Sequence, residues 1–157
     1  VGTGTTFKIY LPRIEKQAEK ISRENPSLAL AHDNETVLVV EDNDSVRELA
    51  TIMLKRLGYK VLQASNGEEA FLSAEKYKGK IDLLMTDVVM PGMNGRELAE
   101  RMHTFQPGVK VLFTSGYTED VIVHHGVLEG DLQFIAKPYS LSALAQKIRV
   151  ILDHPNR

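Results

Sequence analysis

The sequence predicts a doubly wound α/β fold on a five-stranded parallel sheet, preceded by an N-terminal strand and a linker. Three observations carry that expectation. From Thr36 onward, five short apolar runs rich in branched residues alternate with longer stretches of helical spacing: TVLVVED, YKVLQAS, IDLLMTD, VKVLFTS and LQFIAKP. Two of these runs are continuously apolar, Val37 to Val40 and Leu83 to Met85, as befits strands covered by helices on both faces. The length of 157 residues suits one well-packed domain and leaves room for only part of a second.

Taken in order, residues 1–12, VGTGTTFKIYLP, read as a glycine-threonine turn feeding a strand with Thr5, Phe7, Ile9 and Leu11 on one face. Such a strand, lacking a sheet of its own, is expected to be disordered or to borrow an edge elsewhere, including that of a second copy. Residues 13–35 read as a linker, part helical through Ile14, Ala18 and Ile21 and ended by Asn25 and Pro26. Residues 36–153 hold the repeat. Its first helix places Val46, Leu49, Ala50, Met53, Leu54 and Leu57 inward, with Asp44 as its cap and Gly58 as its stop. Asn66 precedes the second helix, whose acidic first turn suits the dipole and whose Ala70, Phe71 and Ala74 face the core. A third helix follows Asn94 or Gly95. Ser140 caps the last, with Leu141, Leu144, Ala145, Ile148 and Ile151 or Leu152 inward. Residues 121–130 make a poor helix, and His124 and His125 within them read as surface residues.

Composition narrows the function. A formal net charge of -2 with both signs interspersed gives no basic stripe for nucleic-acid phosphates. The absence of cysteine excludes disulfides and thiolate metal sites and is compatible with a cytoplasmic setting. No apolar run approaches the ~20 residues of a membrane span, and the first residues lack the pattern of a signal peptide.

In open parallel sheets, ligands bind beyond the carboxyl ends of the strands. Those ends are polar here: Glu41 and Asp42 after the first run, Asp87 after the third, Thr114 and Ser115 after the fourth, Lys137 and Pro138 after the fifth. Each residue alone has a structural explanation as a helix-start acid or a turn residue. Their coincidence on one rim does not. Three neighbouring carboxylates call for a cation, and a hard divalent ion such as Mg²⁺ suits a site of few carboxylates. One carboxylate can then attack phosphorus while Lys137 and Ser115 bind phosphoryl oxygens, which describes phosphoryl transfer to an aspartate.

These residues resemble the receiver domain of two-component response regulators, over about Thr36 to Leu152. The resemblance implies a flavodoxin-like sheet of order 2-1-3-4-5, with Asp87 in TDVVMPGMNG as phosphoacceptor. It also implies Mg²⁺ held by Glu41, Asp42, Asp87 and the backbone carbonyl of Val89. Ser115 in LFTSGY and Lys137 in AKPY match the phosphoryl-binding hydroxyl and lysine, and Phe134 matches the switch aromatic. Pro138 falls where the family carries a cis bond, and Val89 and Tyr117 fall at positions flanking the approach of hydrolytic water. Glu41 stands for the family's usual aspartate and Ser115 for its threonine. The opening GTGTTFKIYLP resembles the last glycine box and strand of a histidine kinase ATP-binding domain, through Gly2, Gly4 and Thr5. Strand, linker and receiver in that order imply a hybrid histidine kinase whose receiver takes its phosphoryl group from a phosphohistidine donor, the parent chain being a protein-histidine kinase with a membrane anchor or without one. Two other readings remain at this point. One is a haloacid dehalogenase-like phosphatase, opposed by Val89 where that family places its general acid; the other is a receiver-like interaction module that acts without phosphorylation.

Overall fold

A computed structural model describes residues 34–116 and 133–154, together with residues 4, 7, 8, 10 and 31. The predicted N-terminal strand, most of the linker, the segment containing His124 and His125, and Gly2, Thr5 and Tyr117 lie outside them. Within the first stretch, Gly4 has φ +57 with open space around it, and Phe7 and Tyr10 are exposed.

The described elements are β1 (Thr36–Val40), α1 (Asp44–Arg56), β2 (Lys60–Ala64), α2 (Gly67–Lys76), β3 (Leu83–Asp87), α3 (Gly95–Phe105), β4 (Lys110–Ser115), β5 (Phe134–Ala136) and α4 (Leu141–Asp153). The five strands form one sheet of order β2-β1-β3-β4-β5, every described pairing being parallel. Chain reversal between β1 and β3 puts the topological switch point at the carboxyl ends of these two strands, where Glu41, Asp42 and Asp87 emerge.

Alternation along β1 and β3 splits the core in two. Leu38, Val40 and Leu84 face α2 and α3, meeting Ala70, Ala74, Leu98 and Met102. Val37, Val39, Leu83 and Met85 face α1 and α4, meeting Ala50, Leu54, Leu144 and Ile148. All five residues of β1 are buried, which accounts for its unbroken apolar sequence.

Two local expectations are corrected. Asn43, not Asp44, caps α1: its backbone is extended and its Oδ1 accepts from the amides of Ser45 and Val46 at 3.1 and 3.2 Å. Asp44 is instead the first helical residue and pairs with Arg47. Leu49 is 55% exposed, because the face defined by Ala50, Leu54 and Leu57 turns it outward. The remaining caps are as predicted. Asn66 and Ser140 each accept from the third helical amide, at 2.9 and 3.1 Å, and Gly58 takes φ +95 just beyond α1.

Candidate functional site

The site is assembled at the carboxyl rim of the sheet. β1 delivers Glu41 and Asp42 just past its last residue, β3 ends on Asp87, β4 ends on Ser115, and Lys137 follows β5. The loops carrying these residues are stitched together by backbone hydrogen bonds. Val88 donates to the Thr114 carbonyl at 2.9 Å, Lys137 to the Ser115 carbonyl at 2.8 Å, and Gly95 to the Val88 carbonyl at 3.1 Å. The Lys137–Pro138 peptide bond is cis, as the sequence implies.

Glu41, Asp42 and Asp87 each present a carboxylate oxygen within 4.8 Å of the other two. Glu41 is buried, Asp87 half-buried and Asp42 exposed, so the cluster opens to solvent on the Asp42 side. The Lys137 ammonium spans the deeper two, donating to Glu41 Oε2 at 2.5 Å and to Asp87 Oδ2 at 2.7 Å. Asp87 Oδ1 accepts from the Val89 amide at 3.3 Å, so both its oxygens are oriented. Burial pushes the Glu41 carboxyl above its ordinary value, more than the Lys137 hydrogen bond pulls it down, and the Asp87 charge adds to the rise. Burial works against the Lys137 charge, but the hydrogen bonds to Asp87 and Glu41 outweigh it and keep the ammonium above its ordinary value.

The donor set suits a hard cation. Among the described residues it offers carboxylate oxygens only, with no imidazole or sulfur, and of its three carboxylates the Lys137 ammonium pairs with two, Glu41 and Asp87. An open cavity of about 760 Å³ adjoins Asp42, lined also by Asn66, Met93, Glu97 and Arg101. Solvent thus reaches the cluster from that side.

Ser115 is buried at the end of β4. Its register partner is Ala136, and Phe113 two residues earlier pairs with Phe134, so Ser115 and Phe134 belong to the same sheet face. Phe134 is half-buried and packs against the α2–α3 side of the core. Val89 is 54% exposed beside Asp87, and its apolar side chain stands at the rim.

Four residues of the site region have no part in the sequence-level expectation. Arg47 holds the Glu41 carbonyl through Nη1 at 2.6 Å, from one turn into α1. Thr86 donates to the Asp87 carbonyl at 3.1 Å. The Tyr139 phenol is pushed up to about 12, chiefly by burial, with the Glu41 and Asp87 charges adding to it. Gly95, just after the α3 cap Asn94, is crowded: a Cβ there would lie 2.1 Å from the Asp87 carbonyl oxygen. Only the last had a signal in the sequence, a glycine where a helix begins.

The fold and the site together define a doubly wound α/β module with an acidic, lysine-bearing rim, and the comparisons place it. Residues 37–149 match the response regulator receiver domain profile, and the chain belongs to that family, whose members serve two-component signalling. Among its relatives, the sensor kinase CckA of Brucella abortus (strain 2308) is 38% identical over 98% of this chain, which spans 17% of that protein. Sporulation initiation phosphotransferase F of Bacillus subtilis (strain 168) is 29% identical over 76% of this chain and 94% of its own length. Among solved structures, the receiver domain of the hybrid histidine kinase CckA superposes with a TM-score of 0.62 at 37% identity, covering 74% of this chain and 98% of that one.

Proposed function

We propose that this chain is the receiver of a hybrid histidine kinase and that Asp87 accepts a phosphoryl group from a phosphohistidine donor. The observation that carries the reading is the Lys137 ammonium shared between Asp87 and Glu41 beside a third carboxylate, all at the switch point of the sheet. An oxygen of Asp87 forms the new P–O bond as the P–N bond to the donor imidazole breaks, and the imidazole leaves. Lys137 and the Ser115 hydroxyl receive the phosphoryl oxygens, and Phe134, on the same face as Ser115, follows the hydroxyl inward. Glu41, Asp42, Asp87 and the Val89 carbonyl would hold Mg²⁺, which supplies charge neutralisation at the phosphoryl group.

The hybrid context is supported by the reach of the similarity. A family match over 37–149 accounts for the receiver, whereas the alignment with the sensor kinase takes in 98% of this chain and so includes its leading residues. Gly2, Gly4 and Thr5 then read as the remnant of a kinase glycine box. Among the described residues no helix is long and apolar enough to cross a membrane, and we place the receiver in the cytoplasm, where an ATP-fed donor would act. The phosphatase reading lacks a general acid, since Val89 holds that position.

The test is phosphorylation by a small phosphodonor with Mg²⁺. The native chain should gain label that is labile to acid, to base and to hydroxylamine, as an acyl phosphate is, and Asp87→Asn should gain none. Label on the variant would refute Asp87 as acceptor, and an unlabelled native chain that also ignores beryllofluoride would favour an interaction module.

A further inference from the structure

The rim opposite Asp87 carries a second set of organised contacts, made between Ala31 and Glu35, which precede the family match, and residues at the end of α1 and in β2 and α4 within it. Arg149, on α4, is almost wholly buried, with 8% of its side chain exposed. Its guanidinium donates to Glu35 Oε2 at 2.6 Å and Oε1 at 2.7 Å, and lies 5.9 Å from the centre of the Tyr59 ring. Asp153, one turn on, adds an ion pair at 3.4 Å. A planar guanidinium engaged by both oxygens of a carboxylate and stacked on a ring is fixed in direction as well as charge.

The polypeptide leading into β1 is held at two further points. The Ala31 amide donates to the Leu57 carbonyl at 2.8 Å, satisfying a carbonyl that the end of α1 leaves without a helical partner. Ala31 also packs against the α1–α4 side of the core, its Cβ 3.5 Å from where a side chain on Gly58 would begin. The Glu35 carbonyl accepts from the Lys60 amide at 3.0 Å. Between these points Asn34 has φ +72, a left-handed turn that asparagine tolerates and that swings the chain from the α1–β2 corner into β1. The receiving surface is itself anchored: Lys110 Nζ donates to the Ile151 and Leu152 carbonyls at 2.9 Å each, and to that of His154, tying the end of α4 to β4.

We propose that the domain carries, on the rim opposite Asp87, a docking site for the polypeptide that leads into it, formed by the α1–β2 corner and α4 and latched by the Glu35–Arg149 ion pair. The occupant is this chain's own leading segment at Ala31, Asn34 and Glu35, and the family match begins only after them. Docking there sets the direction in which the upstream polypeptide leaves the domain.

Amide hydrogen exchange on the 157-residue chain decides the matter. In Glu35→Gln the Ala31 amide should exchange at least ~10-fold faster than in the native chain, while the Leu84 amide in β3 stays within about twofold. Arg149→Met should act in the same direction; because it empties a buried position it can compromise folding, and Glu35→Gln then decides alone. Ala31 protection within about twofold of native in Glu35→Gln would overturn the latch. So would equal acceleration of Ala31 and Leu84, which would make the pair a brace of the whole fold.

Discussion

Gly95→Ala is the most direct probe of how the acceptor is positioned. The Cβ it adds would lie 2.1 Å from the Asp87 carbonyl oxygen and 3.1 Å from the carbonyl carbon, where ordinary contact begins at 3.4 Å. Both obstacles are backbone, so either the first turn of α3 or the end of β3 must shift by more than about 1 Å, at a cost of about 1–3 kcal/mol in stability. A shift of that size carried into Asp87 breaks the 2.7 Å hydrogen bond from Lys137, since donor and acceptor then exceed hydrogen-bond range. Misplacing a reacting group by about 1 Å can cost about 10²-fold in rate. The expected result is a folded chain, less stable to urea, whose labelling by a small phosphodonor falls by about 10²-fold. Gly92→Ala is the control. Gly92 has φ +80 but nothing within 4 Å of an added Cβ, so its variant pays backbone strain without a collision. Labelling of Gly95→Ala within about twofold of native would refute the claim that the close approach positions the acceptor.

The other perturbations separate charge, burial and access. Lys137→Met leaves Glu41 and Asp87 facing each other without their shared ammonium; urea unfolding without divalent cations should show a loss of about 2–3 kcal/mol, and labelling should fall away. Tyr59→Phe removes a buried hydroxyl that has no hydrogen-bond partner among the described residues, so stability at neutral pH should hold or rise by up to about 1 kcal/mol. The same variant tests pH dependence. Burial pushes the Tyr59 phenol up to about 12, so the folded state favours its neutral form. That contribution is complete below the ordinary value of 10.0 and is lost as pH rises through about 12. Circular dichroism across this range should therefore show alkaline unfolding moved to higher pH in Tyr59→Phe. Finally, the resemblance implies that Val89 and Tyr117 flank the path of hydrolytic water, so the phosphorylated chain should lose its label slowly and Tyr117→Ala should lose it faster; an unchanged rate would count against that role.

Legibility in the sequence followed the range of the interaction. The five strands, the four helices among the described residues and their order were readable because alternation and helical spacing are local, and because parallel strands buried on both faces leave an apolar signature such as VLVV. The site was readable because strand ends are readable: once β1, β3, β4 and β5 are placed, Glu41, Asp87, Ser115 and Lys137 must share a rim. What escaped depends on geometry that composition does not encode. Asn43 and Asp44 are both good caps by type, and only the extended backbone at Asn43 decides between them. Leu49 matches a helical spacing but lies off the inward face, a matter of angle rather than residue type. The Glu35–Arg149 pair joins residues 114 positions apart, at the two ends of the domain, with nothing local to announce it.

The charge balance of the rim accounts for a cation, a lysine and a phosphoryl group acting together. Three carboxylates and one ammonium leave the cluster with an excess of negative charge, and the deepest member, Glu41, already resists ionisation because it is buried. A phosphoryl group on Asp87 replaces its single charge with about two and adds acceptor oxygens in the same space. On the proposed reading Lys137 would then give up its bond to Asp87 Oδ2, at 2.7 Å, where its ammonium is now shared with Glu41 Oε2, at 2.5 Å. It would turn to the phosphoryl oxygens, and a divalent cation held by Glu41 and Asp42 would then supply the positive charge that Glu41 loses. On that reading phosphorylation and metal binding would each favour the other, as the reciprocity of linked equilibria requires. Lys137 is the side chain whose change of partners connects them.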